Sequence, residues 1–146
     1  MDMNTGNNYT RLVGVMAGRP VFSHSARGEE FYCFPLEITR LSGAADRINI
    51  IIRREQLAEL EAEEREKLCV IGQLRSFNNR RGTGARLVIT VFAREIFFCE
   101  EPDCNEVYLR GTLCKPPNLR TTPMGRDICD LMLAVNRHYG RSDYLP

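Results

Sequence analysis

Residues 10–49 return as residues 107–146 without a gap. Identical residues fall at Leu12/Leu109, Gly14/Gly111, Pro20/Pro117, Gly28/Gly125, Leu36/Leu133, Arg40/Arg137, Gly43/Gly140 and Asp46/Asp143. Glycine and proline recur where backbone geometry is demanding. The apolar phase is kept as well, at Phe34/Leu131, Leu36/Leu133 and Ile38/Val135. A match of this length constrains the chain to two copies of one architecture, the second cut short.

The first copy shows what that architecture is. Residues 9–16, 31–40 and 47–53 read as strands by their alternation. In the second of these, Tyr32, Phe34, Leu36 and Ile38 share one face, while Phe31, Cys33, Pro35, Glu37 and Thr39 share the other. Residues 17–30 contain Gly18, Pro20, Ser23, Ser25 and Gly28 and read as loop and turn. Residues 54–67 are rich in Ala, Leu, Glu and Arg, without Gly, Pro or β-branched residues, which predicts a helix with Leu57 and Leu60 on its apolar side. Strands at 69–77 and 86–98 follow. Three strands, a helix and two strands is the order of the five-stranded OB barrel.

The expected fold is therefore all-β with one short helix: a five-stranded OB-fold barrel at 9–98 and a partial second OB-fold at 105–146. Residues 1–8 are expected to be a flexible tail, and 99–104, with Pro102 and acidic neighbours, a linker. Two or three strands cannot close a barrel and leave unpaired edges. Residues 105–146 are accordingly expected to pack on the first barrel, to pair with another chain or to be a truncated copy whose remainder lies beyond residue 146, truncation being the favoured reading.

Charge is segregated along the first copy. Lys67, Arg75, Arg80, Arg81, Arg86 and Arg94 occur with no Asp or Glu among them, in a chain whose net charge is only +1. Residues 69–98 thus read as a hairpin with a basic tip, NNRRGTGA, suited to a polyanion. A basic tip also serves plain solubility. In the strand leading to it, Gln73, Arg75 and Phe77 point one way and Val70 and Leu74 the other. Polar, cationic and aromatic groups on one face suit nucleic acid; an ordinary solvated strand with one exposed Phe is the alternative. Phe31, on the outer face of its strand, either stacks a base or packs against a neighbouring barrel. In the second copy Lys115, Arg120, Arg126, Arg137 and Arg141 outnumber Asp127, Asp130 and Asp143, and Arg120 and Arg126 flank the loop that rims an OB binding face.

Other classes find little support. Hydrophobic residues make up 43% of the chain, too many for disorder. No apolar run approaches a membrane span of roughly 18 residues, and the polar start has no signal-peptide core, so a cytoplasmic, nucleoid-associated protein is expected. No GxxxxGK[ST] motif is present, which excludes a P-loop. His24 and His138 have no motif-based link to a nucleophile, so no catalytic residues are assigned. The six cysteines form no CxxC, and neither histidine lies at zinc spacing from a pair. They are read as buried or half-buried free thiols, and neither metal nor cofactor is expected.

The second copy carries a longer signature. N-E-V-Y-L-R-G-T-L at 105–113, P-N-L-R-T-T-P-M-G at 117–125 and L-A-V-N-R at 133–137 match the patterns N-x-V-x-L-x-G-x-L, P-x-x-R-x-T-x-x-G and L-A-x-x-R. They closely resemble the first half of bacterial single-stranded DNA-binding proteins, in the tandem OB-fold form. Gly72-Gln73-Leu74-Arg75 is similar to that family's fourth-strand G-Q-L-R. The resemblance covers nearly everything after residue 9. It implies an OB fold, binding of single-stranded DNA and homo-oligomeric assembly. The family stacks bases on tryptophans, and this chain has none. Tyr139 stands where the family has a stacking Trp, and Phe77 is a looser match to another stacking position. The acidic tail with which family members recruit replication or repair proteins does not occur in these residues.

The resulting expectation is a non-catalytic, largely sequence-independent single-stranded DNA binder. It would work by phosphate neutralisation and base stacking and protect exposed strands in replication, recombination or repair. The candidate contacts are Gln73, Arg75, Phe77, Arg80, Arg81, Arg86, Phe31, Lys115, Arg120, Arg126, Arg137 and Tyr139. An OB module that binds protein and ignores DNA, and an RNA binder, are the alternatives.

Overall fold

Twelve strands and one helical segment make up the structure, a computed structural model that describes residues 6–60, 67–78, 87–137 and 140–146. The first copy comprises β1 (Asn8–Met16), β2 (Val21–Ala26), β3 (Glu29–Thr39), β4 (Ala45–Arg53), α1 (Leu57–Leu60), β5 (Lys67–Asn78) and β6 (Leu87–Phe98). β1 pairs with β5, β5 with β6, β6 with β4, β4 with β3, and β3 returns to β1 at Val15↔Glu37 and Met16↔Leu36. All of these pairs are antiparallel except β4–β6, which meet in parallel at Ile50↔Val91 and Ile51↔Phe92. This is the OB ring.

Alternation fills it. Phe34, Leu36 and Ile38 of β3 point inward with Leu12, Ile50, Ile52, Leu68, Val70 and Val91. Each side chain so buried contributes about 1.5–3 kcal/mol. Leu60 from α1 joins this core and Leu57 packs against it. A 3-10 turn, Arg54–Gln56, opens the helix; the Arg53 backbone N–H donates to Gln56 Oε1 at 2.8 Å. Of the helix expected over residues 54–67, residues 61–66 lie outside the described residues, and Lys67 pairs instead with Val15 in β5.

A further expectation is overturned. Residues 17–30 are not a loop. β2 pairs with β3 in a hairpin whose two-residue turn is Arg27–Gly28, both at positive φ (52° and 82°). Such turns match the twist of the flanking strands. Every residue of β2 is exposed, so it shows none of the alternation that reveals a half-buried strand.

The second copy comprises β7 (Cys104–Leu109), β8 (Thr112–Leu113), β9 (Asn118–Thr121), β10 (Asp127–Asp130), β11 (Leu133–Asn136) and β12 (Ser142–Leu145). Its geometry repeats that of the first. A Cβ on Gly14 would lie 2.3 Å from the Glu37 carbonyl oxygen, and one on Gly111 would lie 2.2 Å from that of Ala134, the counterpart of Glu37. Arg40 holds Asp46 through two hydrogen bonds, and Arg137 holds Asp143 in the same way. β7 lies along β1 with Thr10 opposite Val107, its own counterpart. About that point the register is two-fold: Asn8↔Leu109 and Leu12↔Asn105 are one Asn–Leu contact made twice. The two copies therefore meet as an isologous pair does.

The partial barrel leaves its inner face open. Leu131 is 48% exposed where Phe34, its counterpart, is 0%. Cys114 and Cys129, read from sequence as buried or half-buried thiols, are exposed. Among the described residues no helix is long and apolar enough to cross a membrane, and no group of His, Cys, Asp and Glu could hold a metal ion.

Candidate nucleic-acid interface

Alternation places the first row of the site. Leu68 and Val70 of β5 enter the core and Leu74 packs against it, so Gln73, Arg75 and Phe77 lie on the opposite face. Phe77 is 53% exposed. The Arg75 guanidinium lies over the Phe92 ring, 4.2 Å from its centroid, a cation–π contact. Its Nη2 reaches Gln73 Oε1 at 3.4 Å, while its Nε is enclosed with no hydrogen-bond partner among the described residues. Burial holds the Arg75 pKa below its ordinary value; the Arg137 charge adds to this and Asp143 opposes it.

Behind Phe92 the rings continue. Phe92 meets Phe31 at 5.6 Å, and Phe31 stacks on His24 at 4.8 Å with 17° between planes. Phe31 is thus 8% exposed; rings of its own chain surround it, and it presents no open face. Phe92 and His24 are absent from the sequence-predicted set. Phe92 was legible in principle, since Val91 and Ala93 take the core phase of β6 and put Phe92 on the outer face. His24 was not, because the register of its strand is irregular between Phe22 and His24.

Side-chain hydrogen bonds extend the β5 ladder beyond the ring. Asn8 Nδ2 donates to the Leu74 carbonyl at 2.7 Å, and the Leu74 N–H donates to Asn8 Oδ1 at 2.9 Å. The Ser76 N–H donates to Asp143 Oδ1 at 2.9 Å, and the Tyr144 N–H donates to Ser76 Oγ at 2.8 Å. These groups satisfy the β5 backbone beyond Gly72, where pairing with β1 ends, and bring β12 of the second copy against the display strand.

The predicted cations of the second copy fall into two kinds. Arg137 is committed to Asp143, with its Nε 2.8 Å from Oδ2 and its Nη2 2.6 Å from Oδ1. Arg120 is committed to Asp130, at 2.6 and 3.4 Å. Lys115 and Arg126 are exposed and make no ion pair among the described residues. Arg120 and Arg126 belong to the separate β9–β10 hairpin. Lys67, counted in the basic stretch, binds Asp103 at 2.8 Å and so anchors the segment between β6 and β7. Arg80, Arg81, Arg86 and Tyr139 lie outside the described residues.

No protein-family model matches the chain, and no curated protein matches it. Solved structures do. The dimeric N-terminal domain of the PriB protein from Thermoanaerobacter tencongensis is 36% identical, with 64% of this chain and 98% of that chain covered and a TM-score of 0.54. The wild-type single-stranded DNA binding protein from Thermus aquaticus is 24% identical over 94% of this chain and 71% of its own, with a TM-score of 0.74. A deletion mutant of that protein gives 25%, 94%, 72% and 0.72.

Proposed function

The chain belongs to the bacterial single-stranded DNA-binding protein family of OB folds, and from that premise we propose that it binds single-stranded DNA on the outer face of β5 and β6. The observation that carries this is Arg75 lying over Phe92 beside the exposed ring of Phe77. A nucleobase on Phe77 gains about 1–3 kcal/mol from stacking, and neighbouring cations take the phosphates. Gln73 supplies a hydrogen-bonding group in the same row. Stacking of this kind tolerates any base, which supports a largely sequence-independent role in protecting exposed strands during replication, recombination or repair. The charge pattern adds Arg80, Arg81 and Arg86 to the phosphate contacts.

Binding by charge and stacking has a distinctive signature. Anisotropy of a labelled oligo-dT should report affinity that falls steeply with salt as counterions leave. Replacing Arg80 and Arg81 with Ala should lower both the affinity and the salt slope. Equal affinity for duplex and single strand, or no binding at low salt, overturns the proposal.

Homo-oligomeric assembly is the second part of the reading. The open apolar face of the second copy, with Leu131 at 48% and Leu113 at 47% exposure, favours it. Sedimentation with and without oligonucleotide separates an oligomer that binds DNA from an assembly module that ignores it.

A further inference from the structure

The two copies build the same hairpin differently. In β9–β10 the ladder runs without interruption from Asn118↔Asp130 through Leu119↔Cys129 and Arg120↔Ile128 to Thr121↔Asp127. In β2–β3 the equivalent ladder breaks: Phe22 faces Tyr32, then His24 faces Phe31, and Ser23 is left over as a bulge. One extra residue reverses which face the following side chain occupies. Phe22 therefore meets Tyr32 edge-on at 5.8 Å, while His24 turns to the opposite face and stacks on Phe31. Ser23 Oγ lies 2.9 Å from His24 Nδ1 and holds the ring in place.

The result is a stack with one end open. One face of the His24 ring rests on Phe31, and the residue is otherwise exposed. Beneath it the buried Phe31 and then Phe92 fix the plane, with Arg75 at the far end. A flat ring held rigidly on its inner side and open on its outer side suits another flat ring. The second copy has Thr121 and Ile128 at these two positions and cannot form the stack.

We propose that the outer face of His24 is a stacking site for one nucleobase of a single strand, built by the Ser23 bulge and present only in the first copy. It rests on the single-stranded DNA reading and extends the contact surface from β5 across the barrel to the β2–β3 hairpin.

The test is anisotropy titration of labelled oligo-dT with the wild type, H24A and H24F. Both variants lack the imidazole, so they differ only in offering a ring face. H24A should bind about tenfold more weakly, the size of one base stack, with an unchanged salt slope. H24F should stay within about threefold of wild type. Deleting Ser23 should restore the regular register, turn His24 away and reproduce the H24A loss. H24A binding as tightly as wild type overturns the site alone, as does H24F binding as weakly as H24A. A wild type that binds no oligonucleotide at low salt overturns the underlying reading, and the site falls with it.

Discussion

Asp143 is held by Arg137 at two points, and the same carboxylate accepts the backbone N–H of Ser76 on the other copy's β5. The counterpart pair, Arg40 and Asp46, has the same two-point geometry. The surroundings differ: the Asp143 side chain is 1% exposed and that of Asp46 31%. Duplication kept the pair, and packing against β5 buried one version of it.

Burial decides what each pair contributes. Removing one partner of a buried pair leaves an uncompensated charge, whereas exposed pairs contribute little. R137A should lower unfolding stability by about 3 kcal/mol, the low end for a broken buried pair because the Arg137 side chain is partly exposed, read as a reduced urea midpoint. R40A should leave the midpoint almost unchanged. Equal shifts for the two variants would show that contact with Ser76 does not set the value of the buried pair.

The repeat could be read from sequence because its identities fall on geometry that tolerates no substitute. Gly14 and Gly111 each sit against a carbonyl oxygen of a neighbouring strand, and Arg40/Asp46 and Arg137/Asp143 each tie a turn. The alternation of Phe34, Leu36 and Ile38 likewise revealed the core. The β2 hairpin was hidden because Ser23 and Ser25 look like loop residues and every residue of β2 is itself exposed. Pairing between β1 and β7 was hidden because a register between two copies leaves no trace in either. Phe31 was placed on the correct face, but nothing in its own strand announces that His24 covers it.

G14A tests the close approach directly. Its new Cβ would overlap backbone, not a movable side chain. Overpacking of this kind costs about 3 kcal/mol. G111A meets the same obstacle, but β8 pairs with β11 over only Leu133↔Leu113 and Ala134↔Thr112 and can yield. Its thermal midpoint should fall by less than half the shift seen for G14A.

The segment between β6 and β7 should give the protein an acid-sensitive step. Burial pushes the Asp103 pKa upward, yet hydrogen bonds from Lys67 and from the Thr39 N–H outweigh it and hold the carboxyl below its ordinary value. A carboxylate depressed on folding stabilises above its unfolded pKa of about 4, and that stability is lost as pH falls through the folded value. The wild-type melting temperature should therefore drop below about pH 4 more steeply than that of D103N. D103N should already melt lower at neutral pH. Parallel curves would mean that these bonds do not distinguish the folded from the unfolded state.

The cations of the β9–β10 hairpin offer a test in which pairing, not position, sets the outcome. Arg120 spends its charge on Asp130, whose carboxylate lowers the local potential; Arg126 makes no such pair among the described residues. A phosphate contact adds about 0.7 to the salt slope of single-strand binding. If the strand passes this hairpin, R126A should reduce the slope by about that amount, and R120A should change it little. D130N then frees Arg120 and should raise both affinity and slope. A D130N variant with wild-type slope, together with an R126A variant of wild-type affinity, would confine the DNA to the first copy, where the Arg75, Phe92 and Phe31 row lies.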